Sequence, residues 1–245
     1  MAALLPHLRG AEFDMVYMVP EAFYQDWHTE HEPDPYGRGA EIVKSARLMM
    51  MNMHTTMAFI SAVIVNRDRV EVLIQDAPET FKGTALLQLS WILPLFANHR
   101  QSLVLWQRFV AARSMNSNFD AAEIFGRRLQ SIARKLLKDC PDLARMLTNY
   151  TLRQWFPPML IDMRLHQENN DGYGLPRAEQ VLRELFRFNP LFWIFVYPAL
   201  KVPLRHRSVL ERFLMRLNQI VNFVSEPAEG IHKLRLKRSQ APASV

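Results

Sequence analysis

The chain has 245 residues, a formal net charge of +6, 49% hydrophobic residues, one cysteine and eight glycines. A chain of this size and apolar content buries a core without disulfides or a structural metal, which argues against a wholly disordered protein. The single Cys140 excludes an internal disulfide and fits an intracellular location, in the cytoplasm or the nucleus. The scarcity of glycine and the absence of the two common glycine-rich phosphate loops indicate a mostly helical protein.

The charge is unevenly distributed along the chain. Residues 12–41 contain eight acidic residues and one basic residue, a net charge of −7. Residues 100–138 contain eight basic and two acidic residues, and residues 201–238 contain nine basic and three acidic residues, so each carries +6. An uneven charge distribution of this kind indicates how a protein interacts with partners and says little about its fold. The acidic segment either folds against a basic segment of the same chain or contacts a partner.

In chain order, the first elements are an irregular segment, a helix and a hairpin. Prolines at positions 6, 20, 33 and 35 interrupt residues 1–40 and predict turns and extended chain. Apolar residues at helical spacing predict a helix from Ala40 to about Met53, with Met49, Met50 and Met51 in its core. Two β-branched runs around a polar break predict a β-hairpin near residues 58–75.

The rest of the chain has a helical pattern. Asp120 and Glu123 form a capping box that opens the best-defined helix, which ends at Pro141. The last helix begins near Ser208, and its predicted inward residues are Leu210, Phe213, Leu217, Ile220 and Val224. The other predicted helices span residues 84–97, 101–115, 142–156, where Pro157-Pro158 would stop the helix, and 176–188.

These elements predict a mostly α protein with a minor β part. We expect a single globular helical domain over residues 41–224 that contains the hairpin, preceded by an irregular acidic arm over 1–40 and followed by a basic flexible tail over 225–245. No segment reaches the 18 or so uninterrupted apolar residues that a spanning helix needs, so we expect no transmembrane span.

Basic residues on two predicted helices are the candidate binding surface. Guanidinium and ammonium groups on a helix face bind phosphates, and arginines next to aromatic residues, such as Arg183 and Arg187 around Phe186 and Phe188, suit nucleic acid. The candidate nucleic-acid-binding residues are Arg127, Arg128, Arg134, Lys135, Lys138, Arg205, Arg207, Arg212 and Arg216.

Histidines and an aromatic segment leave two alternatives open. His28 and His31 lie three residues apart beside acidic residues and, with His54, form a candidate metal site, although the spacing matches no strong zinc motif. Residues 191–207 join an apolar aromatic run to basic residues, a pattern of core segments and of peripheral membrane contacts.

The sequence therefore favours a non-catalytic helical binding or assembly protein that uses basic faces to bind an anionic partner, with nucleic acid as the first choice and no cofactor. The alternative is a metal- or haem-dependent, oxidoreductase-like enzyme with a histidine-containing helical pocket, and the third hypothesis is a peripheral membrane protein. A homo-oligomer formed through the acidic arm also stays open.

Overall fold

The computed structural model describes residues 12–23, 39–74, 81–107, 109–113, 120–165 and 174–225. Contacts between Cα atoms divide the chain into two compact units. The first unit comprises residues 1–116 and 131–146, and the second comprises residues 117–130 and 147–245. The predicted class, mostly α with a minor β part, is confirmed. The predicted boundaries at residues 40 and 225 stay a prediction.

Every β-strand among the described residues lies in the first unit. Three α-helices lie between these strands in the sequence. The strands are β1 (Met15–Met18), β2 (Glu21–Phe23), β3 (Ala40–Val43), β4 (Val63–Val65), β5 (Ser102–Leu105) and β6 (Ala111–Arg113). The helices are α1 (Ala46–Met53), α2 (Arg67–Leu73) and α3 (Leu89–Ala97), with 3-10 turns at His54–Ala58 and Ile60–Ala62.

The main sheet has the order β3-β5-β1-β4, and β2 and β6 form a second, parallel pair. The central strands β1 and β5 are parallel, with Val16 opposite Leu103, while both edge strands run antiparallel to their neighbours. All residues of β1 and β5 are buried. Continuous apolar runs are typical of strands that are covered on both faces.

Four predictions for this unit are wrong, and the first three concern strands that were not predicted. Residues 102–105 and 111–113 form strands instead of a helix, because a short apolar run fits a buried strand as well as a helix. Residues 40–43 form β3, and helix α1 begins only after Ser45, whose Oγ accepts the N–H of Leu48. The predicted irregular segment contains β1 and β2.

The predicted hairpin is replaced by a strand and a helix. Strand β4 pairs with β1 and not with the residues that follow it. Asn66 caps α2 by accepting the N–H of Arg69 at 3.2 Å, so the second predicted arm is helical up to Leu73. A good N-cap here outweighs the β-branched side chains. The methionines of α1 are in the core, as predicted: Met49, Met50, Met51 and Met53 are at most 4% exposed.

Helices build the second unit, and two of them also contribute residues to the first. Asp120 accepts the N–H of Glu123 at 2.9 Å, which confirms the predicted cap. The elements are a π-helical turn (Ala122–Arg128), α4 (Leu129–Leu136), α5 (Pro141–Tyr150), a π turn (Thr151–Trp155), α6 (Phe156–Leu165), α7 (Leu175–Phe186), a π turn (Phe192–Val196), α8 (Tyr197–Lys201), a 3-10 turn (Leu204–His206) and α9 (Arg207–Ser225).

The predicted stop at Pro157-Pro158 is wrong, since α6 runs through both prolines. The prolines directly follow the π turn, in which the N–H of Phe156 bonds to the carbonyl oxygen of Thr151, and this wider hydrogen-bonding pattern interrupts the regular α-helical ladder just before them. The core of this unit joins apolar residues from α6, α7, α8, α9 and the three π turns, including Phe156, Phe186 and Phe192, each at most 4% exposed.

The inward face of α9 differs from the prediction. Leu210 and Leu214 are buried, and Leu217 is partly buried against the core, but Leu214 was not among the predicted inward residues. Phe213, Ile220 and Val224 were predicted to point inward and are 55%, 59% and 73% exposed. The helix is apolar over a wider arc than the core covers.

Candidate anion-binding surface

The basic residues at the start of α9 are exposed, and most have no acidic partner. Arg207 pairs with Glu211 at 2.7 Å. Arg205 donates to the ring of His206 at 3.2 Å, and Arg212 donates to the carbonyl oxygen of Ser208 at 3.0 Å. Among the described residues, no carboxylate lies within salt-bridge distance of Arg205, Arg212 or Arg216. The positive charge of these three guanidinium groups is therefore not compensated by a neighbouring carboxylate among the described residues.

An apolar stripe lies beside these arginines on α9. At about 100° per residue, its members fall within one narrow arc of the helix, and Arg212 and Arg216 fall along one border of that arc. The stripe consists of Val209 (61% exposed), Phe213 (55%), Ile220 (59%) and Val224 (73%). The outward face of α9 therefore combines apolar side chains with unpaired positive charge.

Arg127 and Arg128 are less available than the sequence suggested. Arg127 donates to both carboxylate oxygens of Glu184, at 3.1 and 3.3 Å, and to Glu123 at 3.1 Å. The hydrogen bonds to Glu184 and Glu123 raise the pKa of Arg127 above its ordinary value. Arg128 is half-buried and has partners of its own. Arg127 thus serves contacts within the second unit.

Arg134, Lys135 and Lys138 are exposed and belong to the first unit. Lys135 places its Nζ 5.3 Å from the centre of the Phe81 ring. Within the described part of the chain, no carboxylate pairs with Arg134 or Lys138. The single basic face predicted from Arg127 to Lys138 is thus divided between two units.

The candidate metal ligands are not brought together among the described residues. His28 and His31 lie outside these residues. His54 begins a 3-10 turn, and its Nδ1 is 2.9 Å from Oγ1 of Thr55. Over the residues that the structure describes, no group of three or more histidine, cysteine, aspartate or glutamate side chains is arranged to hold a metal ion.

Sequence reasoning missed a buried polar cluster in the first unit. Asp14 is 2% exposed and precedes β1, where one oxygen accepts Nε of Arg69 at 3.0 Å. His99 precedes β5 and contacts Oγ of Ser102 at 2.9 Å. Ser102 is completely buried, so this serine is closed to a substrate and the cluster holds the strand ends together.

Two other segments of the sequence also place an arginine beside aromatic residues, at positions 106–109 and 153–156. Arg153 is 5% exposed and lies 4.7 Å from the ring of Tyr150, so this pair is part of the interior. Trp106 donates its Nε1–H to Glu41 at 3.1 Å. The segment around Arg187 and Phe188 is the exposed one of the three. Of the described aromatic residues in these segments, only Phe188 is exposed.

Comparison with protein-family models, curated proteins and solved structures finds no significant match to this chain. Within the described residues, no helix is long and apolar enough to cross a membrane.

Proposed function

We propose that the protein is a non-catalytic binding protein that contacts nucleic acid through basic residues of α9 and of the 3-10 turn before it. The observation that carries this proposal is the set of three exposed guanidinium groups, Arg205, Arg212 and Arg216, without a carboxylate partner among the described residues. Guanidinium groups bind phosphate oxygens in a bidentate manner and release condensed counterions from the nucleic acid. Arg134 and Lys138 of the first unit supply further unpaired positive charge.

The experiment measures binding of labelled RNA and DNA by fluorescence anisotropy over a series of salt concentrations. The triple variant Arg205→Gln/Arg212→Gln/Arg216→Gln loses three phosphate contacts, so the slope of log K against log salt falls by about 2 to 3. Arg47→Gln/Arg67→Gln/Arg177→Gln is the matched control, because it removes the same charge from arginines that pair with carboxylates and are not candidate binding residues. Equal losses in both variants, or an affinity that is independent of salt, contradict the proposal.

The apolar stripe of α9 favours a second candidate, peripheral binding to an anionic lipid surface. Phosphate groups make no favourable contact with the apolar side chains of Val209, Ile220 and Val224. A bilayer interface, in contrast, buries such side chains and attracts the bordering arginines. Co-sedimentation with phosphatidylcholine vesicles, with and without phosphatidylserine, tests this candidate. Binding that needs phosphatidylserine and is lost in Ile220→Asp supports it, and no co-sedimentation of the wild type rejects it.

A further inference from the structure

A cluster of arginines and aromatic residues lies on the surface where α7 ends and the next π turn begins. Four of its members are exposed, and Tyr197 is half-buried. Phe188 is 88% exposed and Trp193 is 43% exposed. The arginine–aromatic cluster consists of Arg183, Arg187, Phe188, Trp193 and Tyr197, all in the second unit.

Contacts link neighbouring members of this cluster. The indole Nε1–H of Trp193 donates to the carbonyl oxygen of Arg187 at 2.8 Å, which fixes the ring. The guanidinium carbon of Arg183 is 5.8 Å from the ring centres of both Trp193 and Tyr197. The guanidinium of Arg187 lies 4.7 Å from the ring centre of Phe188.

The backbone beneath the cluster explains why Phe188 points outward. Phe186 is 4% exposed and ends α7 in the core, and the N–H of Asn189 then donates to the carbonyl of Phe186 at 2.8 Å. The side chain of Asn189 accepts the N–H of Leu191 at 2.9 Å. Phe192 is completely buried and anchors the following π turn. These hydrogen bonds and the buried Phe192 fix the backbone of the turn. The exposure of Phe188 is therefore a feature of an ordered turn and does not result from poor packing.

The charges of this surface are not neutralised within the described residues. Glu184, the acidic residue next to Arg183 in sequence, pairs with Arg127. In the described ranges, no carboxylate lies within salt-bridge distance of Arg183 or Arg187. Exposed rings and unpaired guanidinium groups therefore occur at the same place.

We infer that the arginine–aromatic cluster stacks against unpaired bases, so that the nucleic acid bound by this protein is single-stranded. This inference rests on the proposed function. Single strands offer base faces to aromatic rings and phosphates to arginines, while a duplex encloses its bases. A lipid surface fits less well, because the guanidinium groups lie over the ring faces instead of at the border of an apolar area.

The experiment compares the wild type with Phe188 variants in anisotropy titrations. The probes are a labelled oligo(U) of about 12 nucleotides, within the usual site size, and a duplex of the same length. Phe188→Ala should weaken oligo(U) binding by about tenfold, as one lost stacking contact implies, and leave duplex binding and the salt slope unchanged. Phe188→Tyr should retain the wild-type affinity, whereas Phe188→Leu, which keeps apolar bulk without a π face, should be weakened as much as Phe188→Ala.

The outcomes separate this inference from the proposed function. A wild type that binds neither probe at low salt overturns both. Salt-dependent binding that Phe188→Ala leaves unchanged on oligo(U) overturns the stacking inference alone. Vesicle co-sedimentation that Phe188→Ala abolishes, with oligo(U) affinity intact, assigns the cluster to a lipid surface and also overturns the inference. Because Phe188 is 88% exposed, these variants should fold as the wild type does.

Discussion

Asp14 and Arg69 form an ion pair that is almost withdrawn from solvent, with Nε 3.0 Å from Oδ1 and side chains 3% and 19% exposed. The other carboxylate oxygen accepts the backbone N–H groups of Arg100 and Gln101, just before β5. Arg69 also donates to the carbonyl oxygen of Asn98 at 3.0 Å. One carboxylate thus joins the start of β1, helix α2 and the start of β5.

Replacing this carboxylate should destabilise the first unit strongly. Asp14→Ala leaves the guanidinium of Arg69 partly buried without its partner and two backbone N–H groups without an acceptor, so the free energy of unfolding should fall by about 3–5 kcal/mol. Urea denaturation measures this loss. Arg67→Ala breaks an exposed pair with Glu71 and should cause no measurable change. Equal stabilities of the two variants would contradict a structural role for Asp14.

His99 should make stability depend on pH in the acidic range. Burial lowers its pKa below the ordinary value of 6.5, although the nearby Asp14 opposes the shift. Because the folded state binds the proton less readily than the unfolded state does, the neutral ring contributes stability above pH 6.5 that is lost as the pH falls through the lowered pKa. Unfolding free energies from about pH 7 to about pH 5 should decline less steeply in His99→Gln than in the wild type. An identical slope in both proteins rejects this assignment.

Tyr17 should produce the opposite dependence at alkaline pH. Its hydroxyl lies 2.6 Å from Oγ1 of Thr56, and because Thr56 donates its own proton to the carbonyl of Met53, Tyr17 is the donor. Burial raises the pKa of Tyr17 from 10.0 to about 12. The neutral phenol therefore stabilises the fold below pH 10, and this stability is lost as the pH rises toward 12.

Absorbance titration near the phenolate band, together with urea denaturation at each pH, checks this prediction. The wild type should show one late-titrating phenol that Tyr17→Phe lacks. Tyr17→Phe should also lose less stability between pH 10 and pH 12 than the wild type does. A phenol at position 17 that titrates at the ordinary value of 10.0 would show that this hydroxyl is not buried in solution.

Local signals in the sequence were sufficient for the fold class, the cap at Asp120 and the methionine core, because each depends on residues close together in the chain. The strands could not be predicted in this way. Strand β5 is buried between β1 and β3, which come from distant segments, and only this pairing distinguishes its short apolar run from a helix.

The same distinction applies to the candidate surface. Arg212 and Arg216 are visible in the sequence as basic residues on an amphipathic helix, and Arg205 as a basic residue just before it. Pairing of Arg127 with Glu184, 57 residues away, is a tertiary contact that no local pattern indicates. The exposure of Phe188 beside the buried Phe186 likewise depends on the turn that follows α7.

Gly126 allows close packing of helices in the second unit. A Cβ at this position would lie 3.2 Å from Cδ1 of Leu185 and 3.4 Å from Cδ2 of Leu182, both on α7. One methyl group requires only a small shift of a side-chain end, and alanine gains about 0.5–1 kcal/mol of helix propensity over glycine, so Gly126→Ala should remain close to the wild type in stability.

Gly126→Val adds two more carbons that meet the same leucines and the ring of Phe156, which a Cβ would already approach to 3.8 Å. Overpacking of this kind should lower the free energy of unfolding by about 1–3 kcal/mol. Urea denaturation of both variants gives the comparison, and oligo(U) binding by the Gly126→Ala protein serves as a control for an intact surface. Equal stability of Gly126→Val and Gly126→Ala would show that the neighbouring side chains adjust to a larger residue without cost. Close packing would then not require a small residue at position 126.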